Sequence, residues 1–177
     1  FSDSAVIEDC SDVKKIRAKL EHAHVGALDM WVTCPDGSEL ILLSNNQGES
    51  DDCNGGADTD AAYLGEPIVE VGNDTAGVGY TYTWREYGFY VIDDANNSAL
   101  EGGTINPGSY TSCNDWCALE GCPVNGTWTL NIATVDSLGD GHFFDWNIQF
   151  EHGELDSLGL SGSEALDLSG GGFNWGS

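Results

Sequence analysis

Clustered carboxylates are the residues of this chain whose type and spacing could do chemistry. Asp136, Asp140 and Asp145 flank one turn in the pattern D-x-x-x-D-G-x-x-x-D. Hard cations such as Ca²⁺ bind several oxygen ligands, and acidic residues in a loop provide them without a rigid cage. The spacing is wider than in an EF-hand and does not end in Glu. The pattern therefore predicts a calcium site, and the alternative is a solvated turn in which Asp bonds its own backbone.

Two further groups of aspartates lie in predicted loops, and each is interpreted either as a calcium site or as a solvated turn. A loop as long as the segment between residues 44 and 63 is usually functional or disordered. The groups are Asp51, Asp52, Asp58 and Asp60 in that segment, and Asp93 and Asp94 after the strand candidate Phe89–Ile92.

Histidines and serines give little support for catalysis. His22 and His24 are spaced so that they share one face of a strand and could chelate zinc. We favour a structural His22 whose ring bonds to the backbone. Ser161 lies in GLSGS, which does not match the G-x-S-x-G nucleophile turn. Because carboxylates are so frequent, pairs of them carry almost no information about a glycosidase site, and we predict that the chain is not an enzyme.

Tryptophans are the second kind of candidate site residue. Trp128 and Trp146 alternate in register with apolar residues and are predicted to lie in the core. Trp31 falls on the face opposite its apolar neighbours, and Trp84 and Trp116 lie near strand ends or in loops. Exposed aromatic rings mark contact surfaces, so these three are the predicted ligand-binding residues. Stacking on a sugar and packing against another protein domain are both open.

Two segments near the C-terminal end have the clearest strand pattern. Between Thr127 and Thr134 apolar and polar residues alternate, as in a half-buried antiparallel strand. The same alternation returns in Trp146, Ile148 and Phe150. The connection DSLGDGHFFD is polar and rich in glycine, so residues 136–145 are predicted to form a turn between two neighbouring strands.

Other segments with strand character extend over the rest of the chain. Lys14–Glu21 contains four of the five basic residues, and its alternation predicts a strand with one cationic face, a short amphipathic helix being the alternative. Pro35-Asp36-Gly37 is a tight-turn sequence between two predicted strands. No long helical pattern is present, so we predict an all-β fold. The remaining strand candidates are Leu28–Cys34, Glu39–Leu43, Ile68–Val71, Tyr80–Trp84 and Phe89–Ile92.

Charge excludes two classes of partner. Thirty acidic residues against five basic ones give a net charge of −25 at pH 7. Nucleic acids and anionic membrane surfaces are bound through Lys and Arg, which this chain lacks in number. Most of the acidic excess is interpreted as a solvated surface.

Cysteine use indicates an oxidising compartment. The six cysteines include no C-x-x-C pair and no zinc-ligand spacing. Up to three disulfides are expected, with their pairing left open. No apolar run approaches the length of a membrane span and no signal peptide opens the chain, so we expect a mature or excised piece of a secreted protein.

Three segments resemble the P domain of proprotein convertases. The first is LEHAHVGALDMWVTCPDG at Leu20–Gly37, and the second is LGEP at residues 64–67 followed by GYTYTW at 79–84. The third is GCPVNGTWTLNIAT at Gly121–Thr134, ending in DG…W-x-I-x-F at Asp140–Phe150. The similarity is greater still to P-domain-type modules of large bacterial secreted and surface proteins associated with gliding and sorting.

The resemblance spans roughly Ile16–Phe150 and implies a jelly-roll-type β-sandwich of antiparallel strands. We therefore predict a sandwich domain over residues 1–152, with 153–177 as a Gly/Ser-rich tail, final strand or linker. The resemblance also implies a non-catalytic, extracellular interaction or stabilising module that binds calcium. Partners would be neighbouring domains of the same polypeptide or another surface protein, with a glycan as the alternative. One position departs from the family pattern H-x-x-x-G-D-L, because Ala27 replaces the acidic residue. Asp29, two residues further on, is then the remaining candidate for a metal ligand in this segment.

Overall fold

The computed structural model describes residues 5–44, 62–69, 75–88, 92, 103–134 and 141–151, and the backbone of 153–156, 166–167 and 173–176. Within these residues the chain forms twelve strands and three short 3₁₀ turns. The strands are β1 (Val13–His22), β2 (Leu28–Thr33), β3 (Glu39–Leu43), β4 (Tyr63–Leu64), β5 (Tyr80–Trp84), β6 (Thr104–Ile105), β7 (Ser109–Tyr110), β8 (Thr129–Thr134), β9 (Gly141–Phe150), β10 (Gly153–Asp156), β11 (Leu166–Asp167) and β12 (Phe173–Gly176). The 3₁₀ turns are Cys10–Asp12, Val25–Ala27 and Trp116–Leu119.

The strands form two sheets. In the larger sheet β1 is central and pairs antiparallel with β4, β5 and β9, while β10 and β11 extend the sheet beyond β9. Two short pairs in this sheet, β4 with β6 and β5 with β7, are parallel. The smaller sheet is antiparallel throughout, in the order β12-β8-β2-β3. The prediction of an all-β sandwich is confirmed, and the larger sheet is mixed rather than purely antiparallel.

The core lies between the two sheets and follows from the alternation seen in the sequence. On β1 the residues Ile16, Ala18 and Leu20 are fully buried, and on β2 every second residue from Leu28 to Val32 is buried as well. Because successive strand residues point to opposite faces, each sheet keeps a polar face outside. The strand predictions for residues 14–21, 28–34, 39–43 and 80–84 are confirmed within a residue or two.

The expected pairing of the two C-terminal segments is wrong. β8 pairs with β2 and β12 in the smaller sheet, whereas β9 pairs with β1, β10 and β11 in the larger one. Alternation shows which face of a strand is buried but not which strand lies beside it, so two strands facing one core from opposite sheets have the same pattern. The predicted turn is also too long, because β9 begins at Gly141. Residues 135–140 lie outside the described ranges.

Two other strand candidates differ from expectation or fall outside the described residues. The described part of Ile68–Val71, residues 68 and 69, has no strand pairing. An isolated bridge joins Glu66 to Val78 instead. Residues 89–91 of Phe89–Ile92 are not among the described residues.

Disulfides attach the cysteine-rich segment 113–122 to the rest of the sandwich. Cys10 is bonded to Cys117 and Cys34 to Cys122, and Cys113 is disulfide-bonded too, with a partner outside the described residues. The expectation of disulfides is confirmed for these cysteines. The segment also hydrogen-bonds to the edge of β3, where Ile41 N–H donates to Asn114 Oδ1 at 2.7 Å. It is therefore fixed to both the N-terminal segment and the smaller sheet.

Candidate functional site

The polar side of the larger sheet, called the outer face, carries an unusual set of charges. Because alternate residues of β1 point into the core, Lys15, Arg17 and Lys19 project to the outer face. These three residues, called the cationic strip, are three of the five basic residues of a chain with 30 acidic ones. Side chains two residues apart on a strand are about 7 Å apart. The strip thus places three cations in a row on the central strand of the sheet.

Arg17 has neutral neighbours on both adjacent strands. It is in register with Thr83 on β5 and with Asn147 on β9, and Thr83 is in register with Ser109 on β7. Arg17 is half-buried and forms no ion pair with any described residue. Its guanidinium can bind a carboxylate through two parallel hydrogen bonds, and the residues in register with it carry hydroxyl and amide groups.

Lys19 lies beside an aromatic ring at a sheet irregularity. The register between β1 and β9 shifts at Lys19, which leaves Phe144 without an in-register partner on β1. The Lys19 Nζ atom lies 5.5 Å from the centre of the Phe144 ring, within the range of a cation–π contact. Lys19 is exposed and is in register with Thr81 on β5 and Asp145 on β9.

A flap closes the outer face next to the cationic strip. We define the flap as residues 65–69 and 75–79, which are joined by two backbone hydrogen bonds between Glu66 and Val78, of 2.9 and 3.0 Å. The flap lies over Glu21, and Gly77 N–H donates to Glu21 Oε1 at 3.2 Å. Glycine is required at close contacts of this kind. A Cβ atom on Gly65, whose φ is +65°, would lie 2.5 Å from the Val78 carbonyl oxygen, and one on Gly79 would lie 2.4 Å from the Phe144 ring.

Beneath the flap Glu21 and His142 form a buried carboxylate–imidazole pair. They are in register on β1 and β9, with 2.7 Å between Glu21 Oε1 and His142 Nδ1. Their exposed fractions are 1% and 3%. Such a pair could serve as an acid–base couple only if a substrate reached it within hydrogen-bond distance. Because both side chains are covered, the pair joins the flap and the two strands rather than offering a reactive surface.

His22 points from β1 into the core, as the favoured structural interpretation requires. Its Nδ1 accepts a hydrogen bond from the His24 backbone N–H at 3.1 Å. Burial lowers the pKa of His22 to about 4, because the charged imidazolium would be desolvated in the core. His22 is therefore neutral at pH 7, and the nitrogen that a zinc ion would need on the His24 side is already used by the backbone.

The predicted metal ligands that the structure describes do not come together. Asp29 is half-buried on the outer side of the smaller sheet, and Asp145 is exposed on the outer face of the larger one. Since the core separates the two sheets, these carboxylates cannot share an ion. Among the described residues, the groups of three metal-ligating side chains each combine a disulfide pair with one aspartate, and neither contains Asp29 or Asp145. The other predicted ligands, Asp51, Asp52, Asp93, Asp94, Asp136 and Asp140, lie outside the described residues.

The expectation of exposed rings is wrong for two of the three predicted ligand-binding tryptophans. Trp84 is 0% exposed and Trp116 is 2% exposed. Trp84 ends β5 on its core-facing side, and Trp116 begins the 3₁₀ turn that packs against β3. Position near a strand end or in a loop did not decide exposure, because Trp84 lies on the core-facing side of β5 and Trp116 belongs to a segment that disulfides fix to the sandwich. Trp31 is half-buried on the outer side of the smaller sheet, so no stacking platform of three rings exists.

Alternation in the sequence predicts the cationic side of β1, but two features of the outer face could not be predicted from it. The Glu21–His142 pair joins residues 121 positions apart, and only the β1–β9 register brings them together. The flap has a weaker signal in its repeated glycines Gly65, Gly77 and Gly79. Within the described ranges, no helical segment combines the length and apolar composition that a transmembrane helix requires.

Comparison with known proteins gives no match to this chain among protein-family models, curated proteins or solved structures. The resemblance to convertase P domains therefore stays a prediction based on the three sequence segments.

Proposed function

We propose that this chain is a non-catalytic interaction module of a larger secreted or cell-surface protein, and that the outer face is its binding surface. The observation that carries the proposal is the cationic strip. A chain with a net charge of −25 has placed three of its five basic residues in a row on the central strand of its larger sheet. A solvated acidic surface explains the carboxylates but not this concentration of cations.

The geometry of the acid–base groups supports a non-catalytic role. Glu21 and His142, the buried carboxylate–imidazole pair of the described residues, are sealed under the flap. His22 is neutral in the core and bonded to the backbone. Binding by the outer face needs none of these groups to be accessible.

The disulfides support an extracellular location. Disulfides persist in oxidising compartments and are rare in reducing ones. Two of them link the cysteine-rich segment to Cys10 and Cys34, across sequence separations of 107 and 88 residues. Cross-links of this kind suit a module that must remain folded outside the cell.

Retention on extracellular material tests the function directly. The chain, fused at its N-terminus to a fluorescent protein, is incubated with cells that produce it, and bound fluorescence is measured after washing. We expect retention of the wild type and its loss in R17E/K19E. The control K14E/R85E has the same net charge but leaves the cationic strip intact, and it should be retained. No retention of the wild type, or equal loss in both variants, contradicts the proposal.

Calcium binding by the acidic loops forms part of the proposal and has its own test. An ion that binds only the folded state adds RT ln(1 + [L]/Kd), or about 2.7 kcal/mol at 100 times Kd, to the free energy of unfolding. We expect excess chelator to lower the melting temperature and calcium to restore it. Asp→Asn changes at Asp51/Asp52, Asp93/Asp94 and Asp136/Asp140 should identify the loop by abolishing the shift.

Asp29→Asn is the control for the cluster of Asp136, Asp140 and Asp145, because the sandwich core separates Asp29 from Asp145. If that cluster holds the ion, Asp29→Asn should keep the calcium shift and Asp145→Asn should lose it. A melting temperature that is the same with calcium and with chelator, in protein shown by elemental analysis to be metal-free, would contradict calcium binding.

A further inference from the structure

We propose that the partner of the outer face is a carboxylate-bearing polysaccharide, bound across the cationic strip. This inference rests on the proposed function, since it names the partner of the same face. The positive charges of the strip complement the carboxylates of such a polymer, and Arg17 and Lys19 are the residues that we expect to bind them. Arg17 has no ion pair within the described residues, and the Lys19 Nζ atom lies 5.5 Å from the centre of the Phe144 ring, with Asp145 in register on β9.

The groups around Arg17 match a polymer that carries hydroxyls as well as carboxylates. Thr83 and Ser109 offer hydroxyl groups on one side of Arg17, and Gln149, in register with Lys15, offers an amide on the other. Hydroxyls and amides both donate and accept hydrogen bonds, which suits sugar hydroxyls. Neighbouring strands are about 4.8 Å apart, so these groups form a grid on which an extended chain can make repeated contacts.

Composition of the face argues against a protein partner. Protein interfaces have a desolvated centre in which aromatic and other apolar side chains act as anchors. In the described part of the outer face, the residues in register with Arg17 and Lys19 are Thr83, Asn147, Thr81 and Asp145, all of them polar. Phe144 is the aromatic side chain beside the strip, and it packs against the flap at Gly79.

Charge argues against two other occupants. A second copy that bound through the same face would bring its own cationic strip against this one, since a two-fold interface uses the same surface of both copies. Nucleic acid binding depends on neutralising many closely spaced phosphates, for which three cations are too few. At physiological ionic strength the Debye length is about 8 Å, so distant carboxylates of the chain are largely screened while the strip acts on a polymer in contact with it.

Affinity electrophoresis and isothermal titration calorimetry against polygalacturonate test the proposal. Excess chelator is present throughout, so that calcium cannot bridge two sets of carboxylates. We expect binding by the wild type, and at least a tenfold loss of affinity in R17A/K19A. Dextran, a neutral polysaccharide, should not bind. R17K should bind more weakly than the wild type, because lysine cannot form the two parallel hydrogen bonds of a guanidinium.

K14A/R85A is the matched control, because it removes the same charge from the two basic residues outside the strip. Lys14 is ion-paired with Glu151, and Arg85 lies beyond the end of β5. This variant should keep wild-type affinity, and melting curves establish that both variants are folded. Equal losses in the two double variants would show that net charge alone matters and would overturn the proposal.

Two further outcomes separate this inference from the function on which it rests. Binding of polyglutamate as tight as that of polygalacturonate would overturn the polysaccharide assignment in favour of an acidic polypeptide. Failure to bind polygalacturonate, together with R17E/K19E-sensitive retention on cells, would overturn the ligand class and leave the interaction module standing. Absence of both kinds of binding would overturn the proposed function itself.

Discussion

Replacing Cys34 and Cys122 together by alanine is expected to lower the free energy of unfolding by at least about 4 kcal/mol. The disulfide between them closes a loop across a sequence separation of 88 residues. A cross-link over a loop of roughly this length restricts the unfolded chain enough to contribute about 4 to 5 kcal/mol. Both cysteines are also buried, at 3% and 0% exposure, so the substitution removes sulfur atoms from a packed region as well. Urea unfolding of the oxidised proteins measures the difference.

The disulfide between Cys10 and Cys117 allows the restriction of the unfolded chain to be separated from the packing of the sulfur atoms. Its sequence separation of 107 residues predicts nearly the same effect on the unfolded chain. Cys10 is only half-buried, so C10A/C117A should lose less packing than C34A/C122A. The wild type should show no free thiol when denatured without reductant. Unchanged stability in either double variant, or free thiols in the wild type, would contradict the expected role of these bonds.

Glu21→Ala is expected to destabilise the fold by about 2 to 5 kcal/mol, because it removes the acceptor of two hydrogen bonds in a covered part of the sheet, and a buried donor left without an acceptor costs about 1 to 3 kcal/mol. His142 Nδ1 would lose the acceptor that lies 2.7 Å away, and the Gly77 N–H of the flap would lose its acceptor as well. The His142 ring is buried and cannot turn to water, whereas Gly77 is only half-buried. Denaturant unfolding gives the magnitude. Faster amide hydrogen exchange at residues 75–79 would show that the flap itself has been loosened.

Two comparisons test whether loss of the Glu21–His142 pair causes the destabilisation. Lys14→Ala removes the exposed ion pair with Glu151, whose side chains are 47% and 43% exposed, and should cost less than about 1 kcal/mol. E21L/H142L replaces both buried groups by apolar side chains and should be less destabilising than the sum of the two single changes. A cost for Glu21→Ala as small as that for Lys14→Ala would show that the buried pair contributes little.

The positions of the strands in the sequence and their buried faces could be predicted, because both depend on local alternation of apolar and polar residues. The apolar residues Ile16, Ala18 and Leu20 alternate with basic residues. This alternation was enough to predict the buried face of β1 and the position of the cationic strip. Tyr80–Trp84 was predicted with the bounds that the structure gives. Disulfide bonding followed from the number and spacing of the cysteines, although their pairing did not.

Strand neighbours and burial could not be predicted, because they depend on contacts between distant parts of the chain. The alternation of β8 and β9 is the same whether they pair with each other or face each other from opposite sheets. Trp84 ends an alternating strand and Trp116 lies in a cysteine-rich loop, and neither local pattern shows that the ring is buried in the folded chain.

By itself the sequence determined that this protein is an all-β, disulfide-bonded, strongly acidic chain with one cationic strand face. The tertiary structure decided what surrounds that face. It placed neutral Thr83 and Asn147 beside Arg17, and it brought His142 onto Glu21 under the flap. The physical reason is that side-chain direction is set by residues next to each other in sequence. The partners of a side chain are set by the register between strands that are far apart in sequence.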